Sequence, residues 1–298
     1  MKTSLLFCCL TLTLLSPASH AADSPTRLAK LEPNQPAVGA TAQTPWQALN
    51  PKKLQLKSAS ALVLDDEGND VYTKAINEPV PIASITKLMT AMVILDGKLD
   101  MNEKIVITKD DRDLIQLTGS RLNYGATLKR KEMLQLALMS SENRAANALG
   151  RTWPGGMAEF VKAMNRKALA LGMKSSHFAD PAGLDPGNVA SADDVAKMVR
   201  AAMRYPDIRK ATTTRTASVY PYKGRGDLRY SNTNRLLKNK TWDIELSKTG
   251  YINEAGRCLV LQANIEGEDV SFVLLNSFGK LTPFGDSNRL RKWMLANS

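Results

Sequence analysis

Strand-like patterns lie at the two ends of this chain, and a long stretch with helical patterns separates them. Runs rich in apolar and β-branched side chains, bounded by polar turns, predict strands at 59–64, 71–73, 246–252, 257–265 and 270–275. Apolar residues at helical spacing dominate residues 99–215, and a last helix is predicted near 287–295. We therefore predict an α+β fold, in which N- and C-terminal strands form one antiparallel sheet flanked by helices, with a mainly helical lobe inserted.

A strongly apolar helix is predicted directly after the first hairpin. Residues 84–95 follow Pro81 and carry apolar side chains on nearly every face. A helix with no polar face is buried on all sides. We assign 56–98 and 216–298 to a sheet subdomain and 99–215 to the helical lobe, with a cleft between them.

Three short polar clusters follow one another along the chain, each in a different part of the predicted fold. They are Ser84-Ile85-Thr86-Lys87, Ser141-Glu142-Asn143 and Lys248-Thr249-Gly250. A serine and a lysine three positions apart on a helix share one face and lie within side-chain reach. The three clusters together supply a nucleophile, two lysines, hydroxyls and an amide, which are the functional groups needed for attack on an acyl carbon.

Lysine is the base that such a site would need. The only histidines are His20 and His177, so a Ser-His-Asp triad has one candidate base at most. For Lys87 to accept a proton near neutral pH, its pKa must fall from about 10.4 towards about 7, a shift of roughly 4 kcal/mol. We expect the apolar helix to desolvate Lys87 and a nearby Lys248 to repel its proton.

The remaining cluster residues suit substrate binding. Ser141 and Asn143 could position Lys87, relay protons and hold a substrate amide, whereas Lys248 and Thr249 suit a substrate carboxylate. Gly250 lets the strand backbone approach a ligand closely.

Each motif also has a structural interpretation, because Ser-x-x-Lys is common by chance. A second copy occurs at Ser277-Phe278-Gly279-Lys280, but no hairpin and buried helix surround it. Lys-Thr-Gly often ends a strand, and Ser-Glu-Asn often caps a helix. The ordered trio, not one motif, favours Ser84 as the nucleophile.

The first residues have the pattern of a secretion signal. Lys2 precedes an apolar run at 5–15, and Ser19-His20-Ala21 matches a small-x-small cleavage site. We predict a signal peptide at 1–21, cleaved after Ala21, a proline-rich extension at 22–55, and a periplasmic protein. The chain ends soon after Lys248-Thr249-Gly250, so we expect at most peripheral contact with a membrane.

Charge and cysteine content limit the partners. Cleavage at Ala21 leaves one cysteine, Cys258, so we expect no disulfide, no metal site and no cofactor. The formal net charge of +11 indicates an anionic partner. No nucleic-acid motif is present, and a carboxylate-bearing polymer or a membrane surface suits an exported protein better.

The motifs resemble those of the low-molecular-mass penicillin-binding proteins, which are serine D-Ala-D-Ala carboxypeptidases and endopeptidases. The resemblance covers about residue 58 to the C-terminus and includes the three clusters together with Phe178-Ala179-Asp180-Pro181-Ala182-Gly183-Leu184 and Ala255-Gly256. It implies the serine β-lactamase/DD-peptidase-like fold. Of the two activities, the endopeptidase resemblance is the stronger, with cross-linked peptides of peptidoglycan as substrates.

The resemblance also implies roles for individual residues. Ser84 would be acylated by a D-alanyl carbonyl, with Lys87 as general base and with Ser141 and Asn143 on the facing wall. Lys248 and Thr249 would bind substrate charge, and the backbone N–H groups of Ser84 and Tyr251 would form an oxyanion hole. β-Lactams would mimic the substrate and remain covalently bound.

Two departures from many carboxypeptidases bear on specificity. Glu142 replaces a small residue and is expected to place a carboxyl group near the cleft mouth, and Tyr251 stands where several relatives have histidine.

The alternatives to an endopeptidase are a D-Ala-D-Ala carboxypeptidase, a non-catalytic protein that binds β-lactams or wall peptides, and a class A β-lactamase. The last needs a Glu-x-x-Leu-Asn motif, which does not occur after Asn143.

Overall fold

The computed structural model describes Trp46 and residues 49–296. The predicted signal peptide at 1–21 and most of the predicted extension at 22–55 lie outside the described residues. Trp46, which falls within the predicted extension, is buried and packs with residues of the sheet and the last helix. This residue therefore belongs to the core of the folded unit.

Eleven strands and seven α-helices occur in the described residues. The strands are β1 (Ser58–Leu64), β2 (Asp70–Lys74), β3 (Val80–Pro81), β4 (Lys104–Val106), β5 (Thr127–Lys129), β6 (Val189–Ala190), β7 (Thr216–Val219), β8 (Leu228–Ser231), β9 (Asp243–Ile252), β10 (Gly256–Ile265) and β11 (Glu268–Ser277). The helices are α1 (Lys87–Asp96), α2 (Arg130–Met139), α3 (Asn143–Arg151), α4 (Gly156–Ala170), α5 (Ala192–Ala202), α6 (Pro206–Thr213) and α7 (Thr282–Leu295). Short 3-10 turns occur at Pro51–Lys53, Ala83–Thr86, Lys109–Asp111 and Arg235–Lys238.

One five-stranded antiparallel sheet joins the two ends of the chain. Its strand order is β2-β1-β11-β10-β9, so the first strand pairs directly with the last. The prediction of a single sheet built from both ends is confirmed. Each of the five predicted strands is present and extends at one or both ends beyond the sequence pattern.

Successive side chains of a strand point in opposite directions, so each strand contributes to both faces of the sheet. Both faces are buried. Leu62 and Val273 pack into the core beneath the helices that include α1, α2 and α5. Their neighbours Val63 and Phe272 pack on the other face, in the smaller core closed by α7. Helices therefore cover both faces, as the predicted fold class requires.

The inserted block is mainly helical, but it also holds short strands. Residues 99–215 contain α2 to α6, together with β4, β5 and β6. The three two-stranded ladders β3-β6, β4-β5 and β7-β8 were not predicted. Strands of two to four residues carry too little alternation to be recognised from sequence. No helix within the described residues is both long enough and apolar enough to span a bilayer.

Candidate active site

Ser84 lies on a tight turn immediately before the central helix. The predicted helix over 84–95 begins later than expected, because Ala83–Thr86 form a 3-10 turn and α1 begins at Lys87. Ala83 has a φ of +47°, a left-handed conformation that is strained for a residue with a side chain. This backbone holds Ser84 at the surface of the core with only 9% of its area exposed.

Lys87 is buried beside Ser84. Its Nζ lies 2.8 Å from Ser84 Oγ, 2.7 Å from Asn143 Oδ1 and 2.6 Å from the carbonyl oxygen of Ala182. Burial lowers the pKa of Lys87 to about 7, while the carboxylates of Asp180, Glu142 and Asp113 oppose that shift. The amine can therefore lose its proton near neutral pH.

The second cluster forms the junction between α2 and α3. Ser141 has a φ of +60°, Glu142 is the N-cap of α3, and Asn143 is its first residue. Ser141 Oγ accepts a hydrogen bond from Lys248 Nζ at 2.9 Å. The helix start thus directs Asn143 to Lys87 and Ser141 to Lys248.

Glu142 does not occupy the cleft mouth, where the sequence had suggested a carboxyl group. It is buried, and its Oε1 accepts hydrogen bonds from Ser120 Oγ at 2.6 Å and from the backbone N–H of Arg144 at 3.3 Å. A carboxylate at a helix N-terminus is stabilised by the unpaired N–H groups there. Glu142 therefore caps α3 and anchors the loop that contains Ser120.

Lys248 lies on β9 and is buried as deeply as Lys87, with 1% of its area exposed. Its Nζ also donates to the carbonyl oxygen of Thr249 at 2.8 Å. Burial lowers the pKa of Lys248 well below its ordinary value, and the charge of Lys87 lowers it further. The expected repulsion between the two lysines thus lowers the pKa of Lys248, whereas burial is the main cause of the lowered pKa of Lys87.

β9 approaches Ser84 closely at Gly250. A Cβ atom at this position would lie 2.9 Å from the carbonyl oxygen of Ile82 and 3.1 Å from the backbone nitrogen of Ser84. Thr249 Oγ1 donates to Thr233 Oγ1 at 2.6 Å. Tyr251 is 47% exposed, and its hydroxyl donates to Asn253 Oδ1 at 2.8 Å. Among the eight residues proposed from sequence, hydrogen bonds join Lys87 to Ser84 and Asn143 and join Lys248 to Ser141, and the close approach at Gly250 brings β9 beside Ser84.

Asp180 organises a loop that entered the sequence analysis only through the family resemblance. Its carboxylate accepts hydrogen bonds from four successive backbone N–H groups, those of residues 182–185, at 2.6 to 3.0 Å. Asn188 Nδ2 donates to the same carboxylate at 3.0 Å. This network fixes the carbonyl group of Ala182 against Lys87. An Asp-Pro pair predicts a turn, but not the residue that the turn contacts.

Gly183 lets the loop pack against the 3-10 turn Ala83–Thr86. It has a φ of +72°, and a Cβ atom there would lie 1.9 Å from the carbonyl oxygen of Ala83. Two left-handed backbones, those of Ala83 and Gly183, therefore contact each other directly beside Ser84.

A second loop holds the far side of Asn143. Asn143 Nδ2 donates to Thr118 Oγ1 at 2.9 Å, and Thr118 Oγ1 donates to Asp113 Oδ2 at 2.7 Å. Because Thr118 accepts from the amide group, the Oδ1 atom of Asn143 is left to face Lys87. Nothing in the sequence pattern pointed to these two residues.

The family model described as D-alanyl-D-alanine carboxypeptidase, peptidase S11, matches residues 46–279. The chain belongs to this family. It is a serine-type DD-peptidase.

Known relatives of this DD-peptidase include two curated endopeptidases. A D-alanyl-D-alanine endopeptidase of Pseudomonas aeruginosa is 45% identical over 259 residues, which cover 87% of this chain and 84% of the relative. A protein of the same name from Escherichia coli is 42% identical over 241 residues, covering 80% and 78% respectively.

Solved structures with the same fold include the crystal structure of the Streptomyces K15 DD-transpeptidase. It has a TM-score of 0.75 and 25% sequence identity, and the match covers 81% of this chain and 98% of that one. The predicted serine β-lactamase/DD-peptidase-like fold is confirmed.

The second Ser-x-x-Lys motif of this DD-peptidase lies outside the constellation around Ser84. Ser277 Oγ is 2.7 Å from Ser58 Oγ, which donates to Asp286 Oδ2 at 2.6 Å, whereas Lys280 is exposed. Within the residues that the structure describes, no group of His, Cys, Asp and Glu side chains is arranged to hold a metal ion.

Proposed function

We propose that this DD-peptidase is an endopeptidase that hydrolyses D-alanyl cross-links between peptides of peptidoglycan through an acyl-enzyme on Ser84. The observation that carries the proposal is the environment of Lys87. Two carbonyl acceptors lie 2.7 and 2.6 Å from its Nζ, while Ser84 Oγ lies 2.8 Å away. A neutral amine has two N–H donors and one lone pair. When Asn143 and Ala182 accept the two N–H groups, the lone pair faces the Ser84 hydroxyl.

Acylation would begin with transfer of the Ser84 proton to Lys87. Ser84 Oγ then attacks the carbonyl carbon of the D-alanyl residue, and a tetrahedral intermediate forms with negative charge on the former carbonyl oxygen. The backbone N–H groups of Ser84 and Tyr251 are our candidates for stabilising that charge. The close approach at Gly250 supports this choice, because it brings β9 against the Ser84 turn.

Collapse of the intermediate requires a proton for the leaving amine. The proton that Lys87 took from Ser84 passes to that amine through Ser141 and Lys248, which are hydrogen-bonded at 2.9 Å. The C–N bond breaks, the amine takes the proton, and the D-alanyl group stays on Ser84 as an ester. Water then attacks the ester with a lysine as base and regenerates Ser84. A β-lactam would acylate Ser84 in the same way.

Thr249 is proposed to bind a carboxylate on the leaving side of the scissile bond. Its hydroxyl is exposed at the cleft edge and is linked to Thr233. Lys248 would serve in proton transfer, since burial favours its neutral form.

The endopeptidase assignment is favoured by the two curated relatives that bear this name, at 45% and 42% identity. Carboxypeptidase activity, the removal of a terminal D-alanine, is the second candidate, because the family description names it. A periplasmic location is also part of the proposal, because it agrees with the predicted signal peptide and with the proposed substrate.

Purified protein incubated with dimeric and monomeric muropeptides, followed by mass spectrometry, tests the proposal. We expect dimers to be cut into monomers, and penicillin to block the reaction while adding its mass to the peptide that contains Ser84. Loss of D-alanine from monomers with no dimer cleavage would establish the carboxypeptidase instead. Penicillin binding without cleavage of either substrate would indicate a non-catalytic binder.

A further inference from the structure

A basic pocket of about 430 Å³ opens beside Thr249, on the side of the cleft that faces the end of β11. Its lining includes Thr249, Tyr251, Arg257, Arg235, Lys280 and Phe284. We call this cavity the basic pocket. Lys280 reaches it from the Ser277-x-x-Lys280 motif, which plays no part in the chemistry proposed for Ser84.

The basic pocket concentrates unpaired positive charge. Its lining includes Arg235, Arg257 and Lys280 but no aspartate or glutamate. Within the described residues, none of the three cations forms an ion pair. The Arg257 guanidinium lies 3.5 Å above the Tyr251 ring, an arrangement that holds it in place while its N–H groups remain available. Three like charges that line one cavity favour the binding of an anion.

The sheet register places Arg257 one strand beyond Tyr251, and places Ser277, which precedes Lys280, two strands beyond it. Tyr251 pairs with Arg257, and Arg257 pairs with Ser277, so β9, β10 and β11 lie side by side at this level. Neighbouring strands are about 4.8 Å apart, so the chain leaving Ser277 lies about 10 Å beyond β9. Lys280 follows that point after a turn at Gly279, which has a φ of +89°.

The two candidate reactions differ in the number of carboxylates on the leaving group. A carboxypeptidase releases free D-alanine, whose single carboxylate lies next to the leaving nitrogen. An endopeptidase releases a second peptide, which continues past that nitrogen and carries additional carboxylates. Only the longer leaving group carries enough carboxylates to pair with more than one of the three cations in the pocket.

We propose that the basic pocket binds the carboxylates of the leaving peptide and that Lys280 and Arg235 favour cross-linked substrates over terminal D-alanine. The proposal rests on the endopeptidase function described above. The apolar faces of Phe284 and Leu281 lie beside the cations and suit the aliphatic part of such a peptide.

The test compares kcat/KM for a dimeric muropeptide with kcat/KM for a monomer that ends in D-Ala-D-Ala. Lys280→Glu should lower the dimer-to-monomer ratio about tenfold, because it replaces attraction by repulsion. Lys280→Arg should retain the wild-type ratio, and Lys174→Glu, an equal charge change at an exposed lysine outside the pocket lining, is the control. In the wild type, added NaCl should raise KM for the dimer, and Lys280→Glu should weaken that dependence.

A dimer with its leaving-side carboxylates amidated provides a second test that needs no variant. The wild-type enzyme should cut it about as poorly as Lys280→Glu cuts the natural dimer. If Lys280→Glu and the amidated dimer both leave the ratio unchanged in an enzyme that cuts dimers, the basic pocket does not bind the leaving peptide. If the wild-type enzyme does not cut dimers at all, the endopeptidase function fails, and the inference fails with it.

Discussion

Two Ser-x-x-Lys motifs in this chain have the same spacing and different surroundings. In the first, Ser84 lies on a 3-10 turn that continues into α1, so that Lys87 Nζ reaches a point 2.8 Å from Ser84 Oγ. In the second, Ser277 is the last residue of β11, and Gly279 turns the chain with a φ of +89° before Lys280. The same four-residue pattern therefore produces a buried pair in one place and a separated pair in the other.

The comparison shows that a three-residue spacing brings serine and lysine side chains together only where the local secondary structure places them on one face. On a helix, residues three apart share a face, whereas the end of a strand imposes no such relation. Burial adds a second difference, because Lys87 is 1% exposed and Lys280 lies at the surface. A lysine base needs both conditions, a hydroxyl in contact and a desolvated amine.

The largest expected effect is the loss of covalent labelling in Ser84→Ala. This variant lacks the proposed nucleophile, so acylation by penicillin should fall by at least about 10⁴-fold. Ser277→Ala is the matched control and should label at the wild-type rate, since Ser277 contacts Ser58 and lies outside the constellation. Mass spectrometry of penicillin-treated protein measures both. Equal labelling of Ser84→Ala and the wild type would refute the assignment.

Gly183→Ala should displace Ser84 relative to Lys87, although neither of these two residues is changed. The added Cβ would lie 1.9 Å from the carbonyl oxygen of Ala83, so the turn that carries Ser84 must move. A displacement of about 1 Å at a reacting group costs on the order of 10²-fold in rate. Gly172→Ala is the control, because Gly172 has a φ of +71° with nothing within 4 Å of an added Cβ. Stopped-flow acylation rates of folded protein should separate the two variants.

Thr118→Val tests the hydrogen bond that orients Asn143. Valine keeps the shape of threonine but cannot accept from Asn143 Nδ2, so the amide group can rotate and present its donor to Lys87. We expect acylation to slow about tenfold, in the range for one lost hydrogen bond to a charged or reacting group. Thr118→Ser should restore the rate. Equal rates in the valine and serine variants would mean that Thr118 does not orient the amide.

The sequence was sufficient to predict the main strands and helices and the three polar clusters. It was insufficient to predict which loops contact one another. Strong apolar patterns located the five sheet strands, and local spacing indicated Ser84, Lys87, Ser141, Asn143 and Lys248 as candidate site residues, whose mutual contacts the structure then described. The supporting contacts made by Asp180 and Thr118 depend on loops that meet only in the folded chain. Glu142 was misplaced for the same reason, since its partner Ser120 is 22 residues away. Periodicity reports which side chains are buried, but it does not report which loop covers them.

The smallest expected effect concerns the pH dependence of the buried pair. Burial lowers the pKa of Lys87 to about 7, and only the neutral amine can accept the Ser84 proton. The acylation rate should therefore rise with pH, reach half its maximum near pH 7, and fall about tenfold for each pH unit below that.

Glu142→Gln should move this pH profile in a defined direction. The Glu142 carboxylate raises the pKa of Lys87 by stabilising its ammonium form, so its removal should lower that pKa and shift the half-maximum to lower pH. The rate at pH 6 should then increase severalfold, while the plateau above pH 8 stays the same, because the glutamine oxygen can still accept from Ser120. Stopped-flow penicillin acylation between pH 5 and pH 9 measures both curves. A shift to higher pH would mean that Glu142 does not stabilise the protonated form of Lys87, and that the profile reports another group.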